Sequence, residues 1–115
     1  MTYILKPTEV AEAYFAAVRA KDIDAFVALF AEDASYIMPN GSEYRGTAQI
    51  REVQTGVFAH GAPFPTPLSM TASEGGIAVE VEAKLSDGAS RFTANIYKLN
   101  EAGKIQRLSV YIKTG

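Results

Sequence analysis

Few side chains in this sequence are of a type that could carry out nucleophilic, metal or acid–base chemistry. The 115 residues contain no cysteine and a single histidine, His60. Without cysteine the chain has no disulfide, no thiol nucleophile and no ligands for an iron–sulfur cluster. One histidine also excludes a histidine-cluster metal site and leaves few ways to form a serine–histidine triad. The sequence therefore predicts no metal site, and redox chemistry would need a bound cofactor. We expect no cofactor.

Two neutral polar residues, Tyr14 and Asn95, interrupt apolar patterns. Tyr14 shares one face of a predicted helix with Val10 and Val18. Asn95 lies in the middle of a predicted strand, on the same face as Tyr97, although asparagine disfavours strands. Either residue could be an ordinary core or surface residue. The functional alternative is that the Tyr14 hydroxyl and the Asn95 amide donate hydrogen bonds into a pocket.

The charged residues of the strands and the histidine have plainer interpretations. Glu80 and Glu82 alternate with apolar residues, so we expect them to point into solvent or to lie at a subunit contact. His60 follows a predicted helix, where its charge would favour the negative end of the helix dipole; the alternative is a catalytic base. Arg91 shares the strand face of Asn95, so it could attract an anionic ligand at a pocket rim or lie in solvent.

Three helices are predicted in the first half of the chain. Thr8, after Pro7, can cap the first helix, Asp22 can cap the second, and Thr47 opens the third. A short β-type segment, residues 35–38, follows the second helix and ends at a turn rich in proline, asparagine and glycine. The buried stripe predicted for the second helix consists of Ile23, Phe26, Val27 and Phe30.

The second half of the chain has the two-residue period that is typical of strands. Four strands are predicted, at residues 68–73, 77–85, 91–99 and 105–113, and short turns that contain glycine separate them. Consecutive hairpins of this kind form an antiparallel meander. Helices followed by hairpins indicate a single α+β domain, residues 1–115, in which three helices pack on one face of a curved sheet.

The overall composition is that of an ordinary globular protein. Hydrophobic residues make up 48% of the chain and charged residues 21%, with a net charge of −2. Because nucleic-acid-binding proteins usually carry a strong positive charge, we do not expect a nucleic acid partner. No apolar run approaches the roughly 18 residues of a membrane span, and the first residues do not resemble a secretory signal. We expect a cytoplasmic protein.

Three segments of the chain are similar to the ketosteroid isomerase family. They are residues 30–35 (Phe-Ala-Glu-Asp-Ala-Ser), residues 39–52, which begin Pro-Asn-Gly and include Tyr-Arg-Gly-Thr, and the hairpin at residues 100–105. That family lies in the nuclear transport factor 2-like superfamily, together with the SnoaL-like polyketide cyclases. The resemblance implies a cystatin-like α+β roll, in which three helices form a cone against a bent, mainly antiparallel sheet with an apolar pocket at its mouth.

The resemblance also implies roles for individual residues. Ketosteroid isomerases move a proton beside a carbonyl with an aspartate base, while a tyrosine and a protonated aspartic acid hydrogen-bond the oxyanion. By this resemblance Tyr14 corresponds to the tyrosine donor, and Asn95 replaces the aspartic acid with an amide that can still donate. Met38 falls at the position of the base, and a thioether cannot accept a catalytic proton. Phe30 and Gln54 replace tyrosines that support the oxyanion donor in some family members.

The leading functional hypothesis is a binding protein with little or no isomerase activity. Its ligand would be a small apolar molecule that bears oxygen, such as a steroid or a polyketide, held by Tyr14 and Asn95. The residues expected to line the pocket are Phe30, Met38, Val79, Val81, Leu108, Val110 and Ile112.

Two alternatives stay open at the level of the sequence. The first is an active isomerase, cyclase or hydratase of the SnoaL-like type that uses an unidentified base. The second is a noncatalytic interaction module, which apolar residues on the outer face of the sheet, Phe92, Ala94 and Ile96, would favour. We also expect a homodimer formed through the convex face of the sheet.

Overall fold

Residues 4–113 are described by the structure, a computed structural model, and they form three helices and one six-stranded sheet. In chain order the elements are α1 (Pro7–Ala20), α2 (Ile23–Val27), β1 (Phe30–Ile37), β2 (Glu43–Arg45), α3 (Gly46–Ala59), β3 (Phe64–Ser73), β4 (Gly76–Lys84), β5 (Ser90–Leu99) and β6 (Ile105–Ile112). The α+β class predicted from the sequence is confirmed.

The first helix begins one residue earlier than the predicted cap. Pro7 is its first residue, where a missing N–H costs nothing because first-turn N–H groups have no partner within the helix. The backbone N–H of Lys6, just before the helix, donates to Oε1 of Glu9 over 2.8 Å. The prediction that Thr8 caps this helix is therefore wrong, because Thr8 lies inside the first turn.

The second helix is capped as predicted but is shorter than predicted. Oδ1 of Asp22 accepts a hydrogen bond from the Ala25 N–H over 3.1 Å, and the helix ends at Val27. Phe30, a predicted member of its buried stripe, begins β1 instead and pairs with Ile105. Pairing into the sheet outweighs the local helical pattern, because spacing alone does not separate the last turn of a short helix from the start of a strand.

A tight turn after β1 leads into a short strand that the sequence does not reveal. The Met38 N–H donates to the Ser42 carbonyl over 2.9 Å, and the Gly41 N–H donates to the Met38 carbonyl over 2.8 Å. Gly41 has a φ of 89°, a conformation that favours glycine. The chain then returns as β2, in which Tyr44 pairs with Tyr36 of β1.

The six strands form one mainly antiparallel sheet in the order β2-β1-β6-β5-β4-β3. Strands β3 to β6 are the predicted antiparallel meander. One pair is parallel, because the last strand, β6, runs beside β1 in the same direction. The meander places β3 at the edge of the sheet, and an edge strand can accommodate Pro65 and Pro67.

Alternation along β4 shows which face of the sheet carries the core. Val79 and Val81 are buried whereas Glu80 between them is exposed, as the sequence predicts. On the buried side the Phe26 ring lies with its centroid 5.2 Å from that of Phe30, which joins α2 to β1. No helix within residues 4–113 is long and apolar enough to cross a membrane.

Candidate ligand-binding site

A cavity of about 150 Å³ lies between the helices and the inner face of the sheet. This is about the volume of an engineered cavity that binds benzene, and it is below the roughly 300 Å³ at which typical ligand pockets begin. The cavity therefore has room for about one ring. Its polar lining residues are Tyr14, Tyr36, Gln54, Thr93 and Asn95, and Met38, Val81, Ala83 and Val110 are among its apolar ones.

The cavity brings together some of the predicted site residues and leaves others outside. Tyr14, Met38, Val81, Asn95 and Val110 line it. The predicted lining residues Phe30, Val79 and Leu108 are instead buried in the core, where each is at most 4% exposed. Ile112 lies outside the cavity, in a neighbouring groove that Arg91 also lines. Alternation along a strand identifies the face of a residue, but the depth at which helices close over that face depends on tertiary packing.

Aromatic contacts fix the position of Tyr14. The ring centroids of Phe15, Phe26 and Tyr97 each lie 5.2 Å from that of Tyr14. Tilted and edge-on arrangements at this distance are favourable for aromatic pairs. Because neighbours from α1, α2 and β5 hold the ring, its hydroxyl is presented at a fixed point of the cavity wall.

A chain of hydrogen bonds runs from Tyr14 to α3. The hydroxyl groups of Tyr14 and Tyr36 are hydrogen-bonded to each other. The Tyr36 hydroxyl donates in turn to Oε1 of Gln54 over 3.3 Å. Gln54 is buried, and a buried amide without a partner would be costly. The three side chains therefore connect α1, β1 and α3 at one wall of the cavity.

A second chain of hydrogen bonds follows the inner face of β5. The Thr93 hydroxyl donates to Oδ1 of Asn95 over 3.3 Å, and Nδ2 of Asn95 donates to the Tyr97 hydroxyl over 3.1 Å. Asn95 is 5% exposed, so these contacts account for its presence in the middle of a strand. Nδ2 of Asn95 carries two hydrogens, and the hydrogen bond to Tyr97 uses only one of them.

The three tyrosines of the site remain neutral near pH 7. Burial raises the pKa of Tyr14 well above its usual value, and the nearby Tyr36 and Tyr97 hydroxyls raise it further. Burial raises the pKa of Tyr36 to about 12, although its hydrogen bond with Tyr14 acts in the opposite direction. Burial also raises the pKa of Tyr97, against the hydrogen bond from Asn95. The phenols can therefore donate hydrogen bonds, but they cannot act as bases.

No carboxylate, imidazole, ammonium or guanidinium group is found among the described residues that line the cavity. Met38 is part of the wall, at the position that the resemblance gives to the family base. His60 is exposed at the end of α3, where Nδ1 lies 2.8 Å from the carbonyl oxygen of Gly56. Its location fits the helix-end interpretation and not that of a base in this cavity.

The sequence does not identify Tyr36, Gln54, Thr93 and Tyr97 as partners of the predicted donors. A signal exists for the strand residues, because Thr93 and Tyr97 lie two positions on either side of Asn95 and so share its face. Tyr36 and Gln54 are 18 residues apart on different elements, and local patterns carry no information about such a contact.

Known proteins share both sequence features and the fold of this chain. Residues 11–108 match the family model described as the SnoaL-like domain. A candidate ketosteroid isomerase from Kribbella flavida is 21% identical, with a TM-score of 0.82 over 92% of this chain and 76% of its own. A candidate polyketide cyclase from Sinorhizobium meliloti is 22% identical, with a TM-score of 0.79 over 88% of this chain and 92% of its own.

A third structure extends the same comparison. A protein of unknown function with a cystatin-like fold, from Methylobium petroleophilum, is 16% identical, with a TM-score of 0.83 over 98% of this chain and 81% of its own. At these identities the structural likeness establishes the fold and not the activity. The predicted cystatin-like α+β roll and its superfamily are confirmed.

Proposed function

The chain belongs to the SnoaL-like family, and from its cavity we propose that it binds a small, neutral, oxygen-bearing cyclic molecule and has little or no isomerase activity. The composition of the cavity wall carries this proposal. Tyr14 and Asn95 offer neutral hydrogen-bond donors, while none of the described lining residues has a carboxylate or an imidazole. Such a wall can hold a carbonyl or phenol oxygen, but it offers no side chain to take a proton from carbon.

The donors can turn to a ligand at little cost. The Tyr14 hydroxyl can rotate towards a ligand oxygen without breaking the hydrogen bond that Tyr36 donates, because Tyr36 donates to Gln54 and not to Tyr14. The second hydrogen on Nδ2 of Asn95 can point to the same oxygen, because Tyr97 takes only the first. A ligand with an acceptor at this point therefore gains up to two hydrogen bonds that a hydrocarbon of the same shape cannot make.

Met38 accounts for the low activity that we propose. In enzymes that stabilise an oxyanion, each hydrogen-bond donor contributes on the order of 10² to 10³ in rate, and Tyr14 and Asn95 could supply that part. A positioned general base contributes about 10² to 10⁴, and that part is missing when a thioether stands in its place. The groups that remain favour binding over proton transfer.

The volume of the cavity favours a single ring over a fused steroid or polyketide skeleton. A volume of about 150 Å³ admits a benzene-sized ring with a small substituent. We therefore propose monocyclic phenols and cyclic ketones as the ligand class.

Two ligands of matched shape test this proposal. We expect 4-methylphenol to bind about tenfold more tightly than p-xylene, because each net hydrogen bond is worth about 0.5 to 1.5 kcal/mol. Chemical-shift titrations by NMR measure both affinities. Tyr14→Phe should reduce the ratio of the affinity for 4-methylphenol to that for p-xylene. Tyr44→Phe, on β2 outside the cavity, is the matched control and should keep the wild-type ratio. Equal affinities for the two ligands, or the same preference in Tyr14→Phe, would show that the donors do not bind ligand oxygen.

The second candidate function is an active isomerase or cyclase. Its support is that two structures with this fold are described as a candidate ketosteroid isomerase and a candidate polyketide cyclase. This function requires a base from outside the described cavity wall, such as a group on the substrate itself. Rapid conversion of 3-cyclohexenone to its conjugated isomer by the wild-type protein would favour this candidate over simple binding.

We further propose that the protein is a homodimer through the outer face of the sheet. Leu68, Phe92 and Tyr111 on this face are 55%, 43% and 59% exposed. They lie on β3, β5 and β6, and they line one depression of the sheet. Exposed apolar side chains grouped in this way favour a contact with another protein surface, although Glu80 and Lys113 line the same depression. A second copy offers the same surface, so a two-fold axis through the sheet would bury it on both chains.

A further inference from the structure

An outer groove of about 580 Å³ lies next to the ligand cavity. Met38 lines both spaces, so its side chain forms part of the wall between them. Methionine is unbranched and flexible, which makes it a wall that a ligand can displace. The residues that line the groove are Met38, Pro39, Asn40, Arg91, Tyr111 and Ile112.

Arg91 gives this groove a positive charge in line with the donors of the cavity. Arg91, Thr93 and Asn95 alternate along β5 and therefore share the face that looks towards the helices. Arg91 also pairs with Ala83 of β4, which lines the cavity. From Asn95 to Arg91 the backbone spans about 14 Å, at roughly 3.4 Å per residue. The inner face of β5 thus carries a buried neutral donor, Asn95, near its middle and an exposed cation, Arg91, near its start.

No acidic side chain neutralises Arg91 within the described part of the chain. The ion pairs among residues 4–113 are Arg45 with Glu43 and Arg51 with Asp24. Glu82 is close in the sheet but points to the opposite face, where its Oε2 accepts a hydrogen bond from the Ser90 hydroxyl. The guanidinium is therefore free to bind an anion from solution.

We propose that the groove is a second part of the same ligand site and that it takes a carboxylate. The ligand class is then a hydroxyaryl or oxo-cyclic alkanoate, with its neutral oxygen at Tyr14 and its carboxylate at Arg91. Guanidinium and carboxylate groups match as a pair of parallel hydrogen bonds, which makes arginine well suited to this role. The long Arg91 side chain covers part of the span, so one ring with a short tether reaches both ends. This inference rests on the proposed function of the cavity.

The test compares 4-methylphenol with 3-(4-hydroxyphenyl)propanoate by calorimetric titration. In the wild-type protein we expect the carboxylate ligand to bind roughly three- to tenfold more tightly, because one partner of the ion pair is exposed. Added salt should reduce this gain. In Arg91→Gln the ratio of the two affinities should fall to about one. Lys84→Gln, which removes an exposed cation from the neighbouring strand, is the matched control and should keep the wild-type ratio.

The outcomes separate this inference from the proposed function. If 4-methylphenol binds but the carboxylate adds no affinity, or if Arg91→Gln keeps the gain, the groove is not a carboxylate site while the cavity proposal stands. If neither ligand binds, both proposals are overturned.

Discussion

The Tyr36 hydroxyl donates to Oε1 of Gln54 over 3.3 Å and so connects β1 to α3 beside the cavity. Both side chains are at most 5% exposed, and no buried side-chain nitrogen or oxygen within residues 4–113 is left without a partner. A buried polar contact of this kind makes the geometry of the wall depend on both residues. Removing one of them leaves the other with an unmet hydrogen bond in a low-dielectric environment.

We expect Tyr36→Phe to lower the free energy of unfolding by about 1 to 3 kcal/mol, because it leaves the Gln54 carbonyl buried and unpaired. Urea denaturation measures the change. Tyr44→Phe, at a half-buried position on β2, is the matched control and should have a smaller effect. In the double variant Tyr36→Phe, Gln54→Met, part of the loss should be recovered, since both partners are then apolar. Strictly additive losses would contradict a coupled pair.

We expect the protein to lose stability steeply above pH 10. Burial raises the folded-state pKa of Tyr36 to about 12, and it raises those of Tyr14 and Tyr97 as well. Above the unfolded-state pKa of about 10 the unfolded chain releases these protons while the folded protein retains them, so the free energy of unfolding falls as pH rises. For Tyr36 alone the loss between pH 10 and pH 12 is about 2 to 3 kcal/mol.

Urea unfolding between pH 8 and pH 11 tests this dependence. Below pH 9 these three phenols should not make the free energy of unfolding depend on pH. The Tyr36→Phe variant should lose less stability above pH 10 than the wild-type protein, because one buried phenol is gone. A wild-type curve that stays flat through pH 11, or that rises, would show that the tyrosines ionise as readily in the folded protein as in the unfolded chain.

The sequence predicts most of the fold because the local signals and the tertiary structure agree in most elements. Asp22 caps α2 as predicted, and glycine-containing turns mark the hairpins of the meander. The exceptions depend on contacts between distant residues. Phe30 is in β1 and not in the predicted helix, because it pairs with Ile105 of β6. The parallel pairing of β1 with β6 also has no local signature in the sequence.

The site is predicted less completely, for a related reason. Alternation along the strands places Asn95 and Val81 on the inner face, and both line the cavity. The same alternation places Leu108 on that face, but Leu108 is fully buried in the core and does not line the cavity. Tyr36 and Gln54 meet only through the packing of α3 on β1, so their pairing follows from tertiary structure and not from any local pattern.

We expect Phe92→Glu to convert the proposed homodimer into a monomer. Phe92 is 43% exposed on the outer face, and a charge there would have to be desolvated in a contact between two sheets. Sedimentation equilibrium measures the mass of each form. Thr55→Glu, at an exposed position on α3, is the matched control and should leave the association state unchanged. A wild-type protein that is monomeric at all concentrations would rule out the dimer.

We expect Met38→Asp to introduce isomerase activity on a small β,γ-unsaturated cyclic ketone such as 3-cyclohexenone. Met38 lines the same cavity as Tyr14 and Asn95, so a carboxylate at this position would join the two donors that can hold the ketone oxygen. Apolar surroundings should raise the pKa of the new carboxylate towards the working pH, which suits proton abstraction. The gain should be on the order of 10² or more over the wild-type rate, the usual contribution of a positioned base.

Absorbance of the conjugated enone reports turnover, and Met38→Asn is the matched control, because it has a similar shape but no basic oxygen. A polar group in the methionine site should lower the free energy of unfolding by roughly 1 to 3 kcal/mol in both variants, so folding is checked first by circular dichroism. If folded Met38→Asp is no faster than Met38→Asn, position 38 does not face the carbon that would lose its proton. If the wild-type protein is already fast, a base other than residue 38 acts, and the function is catalytic.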